Sequence, residues 1–204
     1  MSAEERPFEF VLICTGNQFR SPLAEGLVRQ LTQGLPVRLS SFGTLEVDGT
    51  PALEDAVELG REIGVDLGDH RSRKLSGADL TEADLVVGFE RHHLALAVVE
   101  AGARRERTFS APELAELLGR IEPPIGLEPG ARAREAVARA HSARESKPAR
   151  LLKELADPAG RGRNVAVETL RQVEQQAGRI AFGLFGIVPD AVRPGSAERA
   201  RSRP

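Results

Sequence analysis

The stretch FVLICTGNQFRSPLAEGLV, residues 10–28, changes its hydrophobic period partway along. A short apolar run from Phe8 to Ile13 reads as a buried strand, and Leu23, Leu27, Val28 and Leu31 then fall at helical spacing. A strand that passes through a glycine-containing turn straight into a helix is the opening of a parallel β-α unit, because parallel neighbours need a crossover between them. The pattern repeats. Val37 to Phe42 fits a second strand, Pro51 to Ile63 a helix, Ala83 to Phe89 a third, fully buried strand, and Arg104 to Ser110 a weaker fourth. Helical spacing recurs at Arg91 to Ala101, Pro112 to Leu118 and Val165 to Phe182. The expected fold is a single α/β domain over residues 1–188, with a four-stranded parallel sheet and helices on both faces. In such sheets ligands bind beyond the carboxyl ends of the strands, and that is where Cys14 falls.

Two segments read as additions. Residues 121–156 begin with proline and glycine and continue through an Ala/Arg-rich stretch. They predict a helical insert of one or two exposed helices, whose arginines form either a basic face or an ordinary solvated one. Residues 189–204 lack apolar periodicity and predict a mobile tail. The run IAFGLFGIV, residues 180–188, is too short and too glycine-broken to span a bilayer and reads as the end of a packed helix.

Composition narrows the class. A chain of 204 residues buries roughly 70% of its unfolded surface, so no disulfide or metal staple is required. A net charge of -2 gives no overall attraction to nucleic acid. The single cysteine forbids an intramolecular disulfide, and MSAEERPFEF carries acidic residues without the apolar core of a signal peptide, so a cytoplasmic location away from membranes is expected. His92 and His93 are neighbours on a predicted helix and do not share a face, no other ligand cluster appears, and no cofactor-length glycine motif is present. Neither metal nor cofactor is expected. The oligomeric state stays open.

Arginine is abundant here, so a cysteine six positions before an arginine says little alone. Its setting says more. Between the buried strand and the helix opened by Arg20, Ser21 and Pro22, the residues Thr15, Gly16, Asn17, Gln18 and Phe19 must curl over a helix N-terminus. Gly16 and Asn17 tolerate left-handed backbone, which lets successive N–H groups converge on one small anion. The helix dipole adds to that attraction, and Arg20 can fork onto two phosphate oxygens. The same positive surroundings favour the Cys14 thiolate, a nucleophile for phosphorus. Pro22 suits the first turn, where its missing N–H would be unpaired anyway. Ser21 is placed either to hydrogen-bond the sulfur or merely to cap the helix.

VLICTGNQFRSPLAE resembles the signature loop of the low-molecular-weight protein tyrosine phosphatases, usually V-C-x-G-N-x-C-R-S-P-x-A-E. The likeness extends through SSFGT (40–44), DHRSRKL (69–75), ADLVVGFERHH (83–93) and DPAG (157–160). It implies a phosphate-binding loop of Thr15 to Arg20, Cys14 as nucleophile and Asp157 as general acid. Ser21, Ser41 and His70 would brace the loop. Phe89 and Ala159 would flank the substrate, with Phe19 as another source of a ring contact. Substrates would be phosphorylated proteins or small phosphomonoesters, with inorganic phosphate as product and inhibitor. Read without the resemblance, Asp157-Pro158 is equally ordinary turn chemistry, and His70 equally a surface residue.

Three positions depart from the family pattern. Phe19 stands where a second cysteine usually traps the oxidised nucleophile, so oxidised Cys14 is expected to proceed more readily to irreversible acids. Ala159 replaces the usual ring after Asp-Pro, in a chain with no Tyr or Trp. Gln18 matches neither the aliphatic residue of the tyrosine phosphatases nor the threonine of the related protein arginine phosphatases. Phosphotyrosine hydrolysis leads. The alternatives are a phosphoarginine or small-molecule phosphatase, a non-catalytic phospho-binding protein, and, less favoured for want of relay cysteines, an arsenate reductase.

Overall fold

The computed structural model describes residues 6–145 and 154–187. Strands β1 (Phe8–Cys14), β2 (Val37–Gly43), β3 (Leu85–Gly88) and β4 (Thr108–Ser110) form one sheet in the order β2-β1-β3-β4, every pairing parallel. The chain goes from β1 outward to β2, then returns past β1 to β3. The direction of winding therefore reverses between β1 and β3, which marks the crevice at their carboxyl ends as the ligand position of an open parallel sheet.

Alternation along β1 builds two cores. Phe10, Leu12 and Cys14 face a large apolar layer, while Val11 and Ile13 face a smaller one with Val86, Leu75, Leu80 and Ala97. The first layer is covered by α1 (Arg20–Leu31), α4 (Ala111–Leu118) and α6 (Arg163–Phe185), with α2 (Glu54–Glu62) against α6. The second is covered by α3 (Arg91–Val99) and the chain leading into β3. The expected four-stranded parallel sheet with helices on both faces is what the chain forms, although one face carries most of the helices. A short 3-10 turn, Arg105–Arg107, takes the first part of the predicted fourth strand. At the other end, α6 stops at Gly186 in left-handed conformation, after burying Ile180, Ala181 and Leu184.

The insert differs from expectation. Its described part is one helix, α5 (Pro129–Glu145), and that helix is not an exposed appendage. Ala133, Ala136 and Ala140, together with Val137, are buried against α4 and α6 in the main core. Alanine at this spacing lets backbones approach closely, so a stretch with little hydrophobic mass still buries a face. Its arginines dock it. Arg134 bonds Asp84 at the start of β3, and Arg144 donates to the carbonyl of Thr108 at 2.8 Å while stacking 3.8 Å over the Phe109 ring. The predicted tail, residues 189–204, lies outside the described residues.

Asp84 is the hub of this docking: its side chain is 1% exposed and meets Arg6 at 2.7 Å and Arg134 at 3.1 Å, with Arg107 at 3.7 Å. It also accepts the N–H of Glu9 on β1 at 3.0 Å. Asp84→Ala is expected to destabilise the fold by about 2 kcal/mol, because it strands partly buried arginines and an amide. Urea unfolding measures this, and the loss should come as a lower midpoint with an unchanged slope.

Candidate active site

The loop leaving β1 is shaped by its carbonyls. Those of Cys14, Thr15 and Gln18 accept the backbone N–H groups of Thr44, Leu45 and Leu53, that of Phe19 accepts the N–H of Leu23, and that of Asn17 lies 2.6 Å from His70 Nε2. A trans peptide points its C=O and the following N–H in opposite directions. A loop in which these five carbonyls face outward therefore turns the amides of Thr15, Gly16, Gln18, Phe19 and Arg20 inward. Among the described residues none of those amides donates to a protein acceptor. Such an amide lining, unsatisfied by protein among the described residues, is what a tetrahedral oxyanion fits.

Asn17 locks the shape. It is the one non-glycine residue with positive φ, 52°, among the described residues, a conformation asparagine tolerates. Its Nδ2 donates to Ser21 Oγ at 2.9 Å and Ser41 Oγ at 2.8 Å, and its Oδ1 accepts the N–H of Arg73 at 2.8 Å. Because Ser21 Oγ already accepts from Asn17, its own proton is free for Cys14 Sγ, 3.0 Å away. Ser21 thus serves the sulfur and makes no capping bond. Gly43, paired with Cys14 across the sheet, is obligatory in a steric sense: a Cβ there would sit 2.9 Å from the Asn17 nitrogen and 3.0 Å from the Thr15 oxygen.

Arg20 has no exposed surface. Its Nη1 pairs with Glu90 Oε1 and donates to the Leu155 carbonyl at 2.6 Å, and its Nη2 donates to Thr15 Oγ1 at 2.8 Å and Asp157 Oδ2 at 2.7 Å. Its Nε is buried with no partner among the described residues, one more donor suited to an oxyanion. Asp157, a third exposed, also accepts the N–H of Ala159 at 3.1 Å through Oδ1. Cys14, Arg20, Ser21, Ser41, His70 and Asp157, dispersed in the chain, thus meet around one loop. Among the described residues no group of three or more His, Cys, Asp or Glu is disposed to hold a metal.

Two expectations fail. The Phe89 ring is 1% exposed and Phe19 is 3% exposed, both inside the main core, so neither flanks a substrate. Phe89 directly follows β3, whose four residues are all buried, and its position continues that burial. Ala159 is exposed beside Asp157, and Leu45, 49% exposed with its amide bonded to Thr15, is the large apolar side chain next to the loop. The Gln18 side chain lies beside Gly16 and donates to the Pro51 carbonyl at 3.1 Å.

The turn after β3 supplies residues that sequence reasoning missed. Glu90 pairs with Arg20 and caps α3. His93, wholly buried, accepts the N–H groups of Phe89 at 3.2 Å and Glu90 at 3.0 Å through Nδ1, and its Nε2 lies 3.2 Å from Thr15 Oγ1. Burial first, then His92 and Arg20, push the His93 pKa down to about 2. The available signal was positional: FERHH follows a strand that neighbours β1 at the crevice.

A model of the low molecular weight phosphotyrosine protein phosphatases matches residues 9–116, just over half of the chain. The chain belongs to this family. The match covers all four strands and the loop with Cys14, and it ends before the insert and Asp157. A probable low molecular weight protein-tyrosine-phosphatase of Ralstonia solanacearum is 38% identical over 77 residues, 38% of this chain and 52% of that one. The chain thus spans about half the length of that relative. A protein-arginine-phosphatase of Bacillus subtilis is 31% identical over 107 residues, 52% of this chain and 71% of that one. Among solved structures, a low molecular weight protein tyrosine phosphatase from T. tengcongensis superposes with TM-score 0.60 at 26% identity, covering 84% of this chain and 95% of its own.

The depressed His93 pKa links stability to pH. Unfolded, the ring takes up a proton near pH 6.5; folded, it stays neutral to about 2. The unfolded state therefore binds more protons within this window, and stability is fully present above it and falls as pH drops through it, by up to about 1.4 kcal/mol per pH unit. Urea midpoints taken from pH 7 to pH 4 should fall, and the fall should be shallower in His93→Asn.

Proposed function

We propose that this chain is a cysteine-dependent phosphatase that hydrolyses phosphomonoesters through a phosphocysteine intermediate, with protein phosphotyrosine as the leading substrate class. The observation that carries the reading is the ring of inward amides around Cys14, closed by Arg20 and reached by Asp157. In the first step the Cys14 thiolate attacks phosphorus along the axis of the loop, the loop amides and Arg20 hold the phosphoryl oxygens, and the P–O bond to the leaving group breaks. Asp157 gives its proton to the leaving oxygen. In the second step the Asp157 carboxylate takes a proton from water, the water oxygen attacks phosphorus, and the P–S bond breaks. Ser21 donates to the departing sulfur, which leaves as thiolate together with inorganic phosphate. No metal or cofactor enters either step. A cytoplasmic setting accords with one unpaired thiol, and among the described residues no helix is long and apolar enough to cross a membrane.

A second reading, phosphoarginine hydrolysis, is favoured by two observations. Among the described residues no phenylalanine ring is exposed beside the loop, and the Bacillus subtilis relative is named for arginine. Parallel assays on phosphotyrosine and phosphoarginine peptides decide between the two.

With p-nitrophenyl phosphate the wild type should turn over, Cys14→Ser should lose activity while still binding vanadate, and Asp157→Ala should lose about tenfold to hundredfold in kcat, since nitrophenolate needs little acid assistance. Folded, reduced wild-type protein that binds vanadate without turnover would overturn the catalytic reading and leave a phospho-binding protein.

A further inference from the structure

His93 takes no part in either step above, yet both of its ring nitrogens are engaged beside the loop. The third residue of α3, it lies wholly buried, and Gly88 makes room for it: a Cβ there would come 2.8 Å from the Cβ of His93. Its Nδ1 accepts two backbone N–H groups. A ring nitrogen that accepts has its lone pair free, so the proton of the neutral ring sits on Nε2. That N–H therefore donates to Thr15 Oγ1, and the same oxygen accepts from Arg20 Nη2. Both lone pairs of the hydroxyl are engaged, which fixes Thr15. The chain of hydrogen bonds runs from the turn after β3, through Thr15, to the guanidinium and on to Asp157 Oδ2.

Capping α3 requires only the Nδ1 side of the ring. The Nε2 side is additional, and it ends on the residue that follows the nucleophile. We propose that His93 is a positioning residue of the phosphate site, an Nε2–H donor that holds the Thr15 hydroxyl so that Arg20 presents its Nη2 edge to a phosphoryl oxygen and to Asp157. The surroundings of the ring fit that role: it is buried beside the Arg20 guanidinium, and a charged imidazole there would repel the group it serves. Glu90 holds the other edge of Arg20, so the first turn of α3 grips the loop at two points. The proposal rests on the phosphate-site reading, and its test reads anion binding separately from turnover.

Orthovanadate affinity by calorimetry, p-nitrophenyl phosphate kinetics and thermal midpoints are compared for wild type, Thr15→Ser, Thr15→Val, His93→Asn and Thr15→Val/His93→Asn. Asparagine keeps an acceptor for the turn amides but does not reach Thr15. Thr15→Val and His93→Asn should each weaken vanadate binding and raise KM about tenfold, the double variant no further than either single, and Thr15→Ser should stay near wild type. A lowered midpoint in His93→Asn with unchanged vanadate affinity and KM would overturn the role, as would single effects that multiply in the double variant. Should His93→Asn fail to fold, nitrogen-15 chemical shifts of the wild-type imidazole decide: a neutral ring protonated at Nε2 supports the proposal and one protonated at Nδ1 overturns it. Vanadate binding without turnover would sink the phosphatase reading yet leave this comparison intact; wild type that binds no vanadate sinks both.

Discussion

A guanidinium with no exposed surface has to be satisfied from within the protein, and the rest of this site is arranged around meeting that demand for Arg20. Its partners come from three places far apart in the chain. Thr15 belongs to the loop, Glu90 to the turn after β3, and Leu155 and Asp157 to the segment ahead of α6. One buried charge thus ties the carboxyl ends of two strands to a segment more than a hundred residues beyond Arg20 itself. Removing it would leave two carboxylates without their cation at the centre of the crevice.

The loop's curvature answers a second demand, that the carbonyls turned away from the inward amides find partners elsewhere. β2 and the chain after it provide most of them, through the amides of Thr44, Leu45 and Leu53. Ser41 and His70 brace Asn17 from opposite sides, one at its side chain and one at its carbonyl. Positive potential inside the loop is therefore a product of sheet pairing and backbone direction as much as of Arg20. This is why Gly43, which contributes no chemistry, tolerates no side chain.

Much of this was legible in the sequence, and for local reasons. Strand, turn and helix signals at residues 8–31 set the sheet, and Gly16-Asn17 before Arg20-Ser21-Pro22 announced an anion loop. The left-handed residue proved to be Asn17 alone. Asp157 was reachable only by resemblance, since Asp-Pro is common turn chemistry. Other features had no local signal at all. The bond between Thr15 and His93 joins residues 78 positions apart, and adjacency on a helix hid that His93 is buried while His92 is half exposed. Alanine and arginine in α5 read as solvated because burial through small residues leaves a weak hydrophobic trace. The Phe89 ring was assigned outward by analogy of position, whereas the core behind β3 claims it.

Because Arg20 is already matched by Glu90 and Asp157, it is not a bare attractor. An arriving anion gains only the difference between its own bond to the guanidinium and the one it displaces, and a dianion with several oxygens gains most where it can use the loop amides and Nε together. Singly charged small anions gain little, so the site discriminates by exchange. The same exchange runs backward when a bound anion departs, because the carboxylate of Asp157 competes for Nη2.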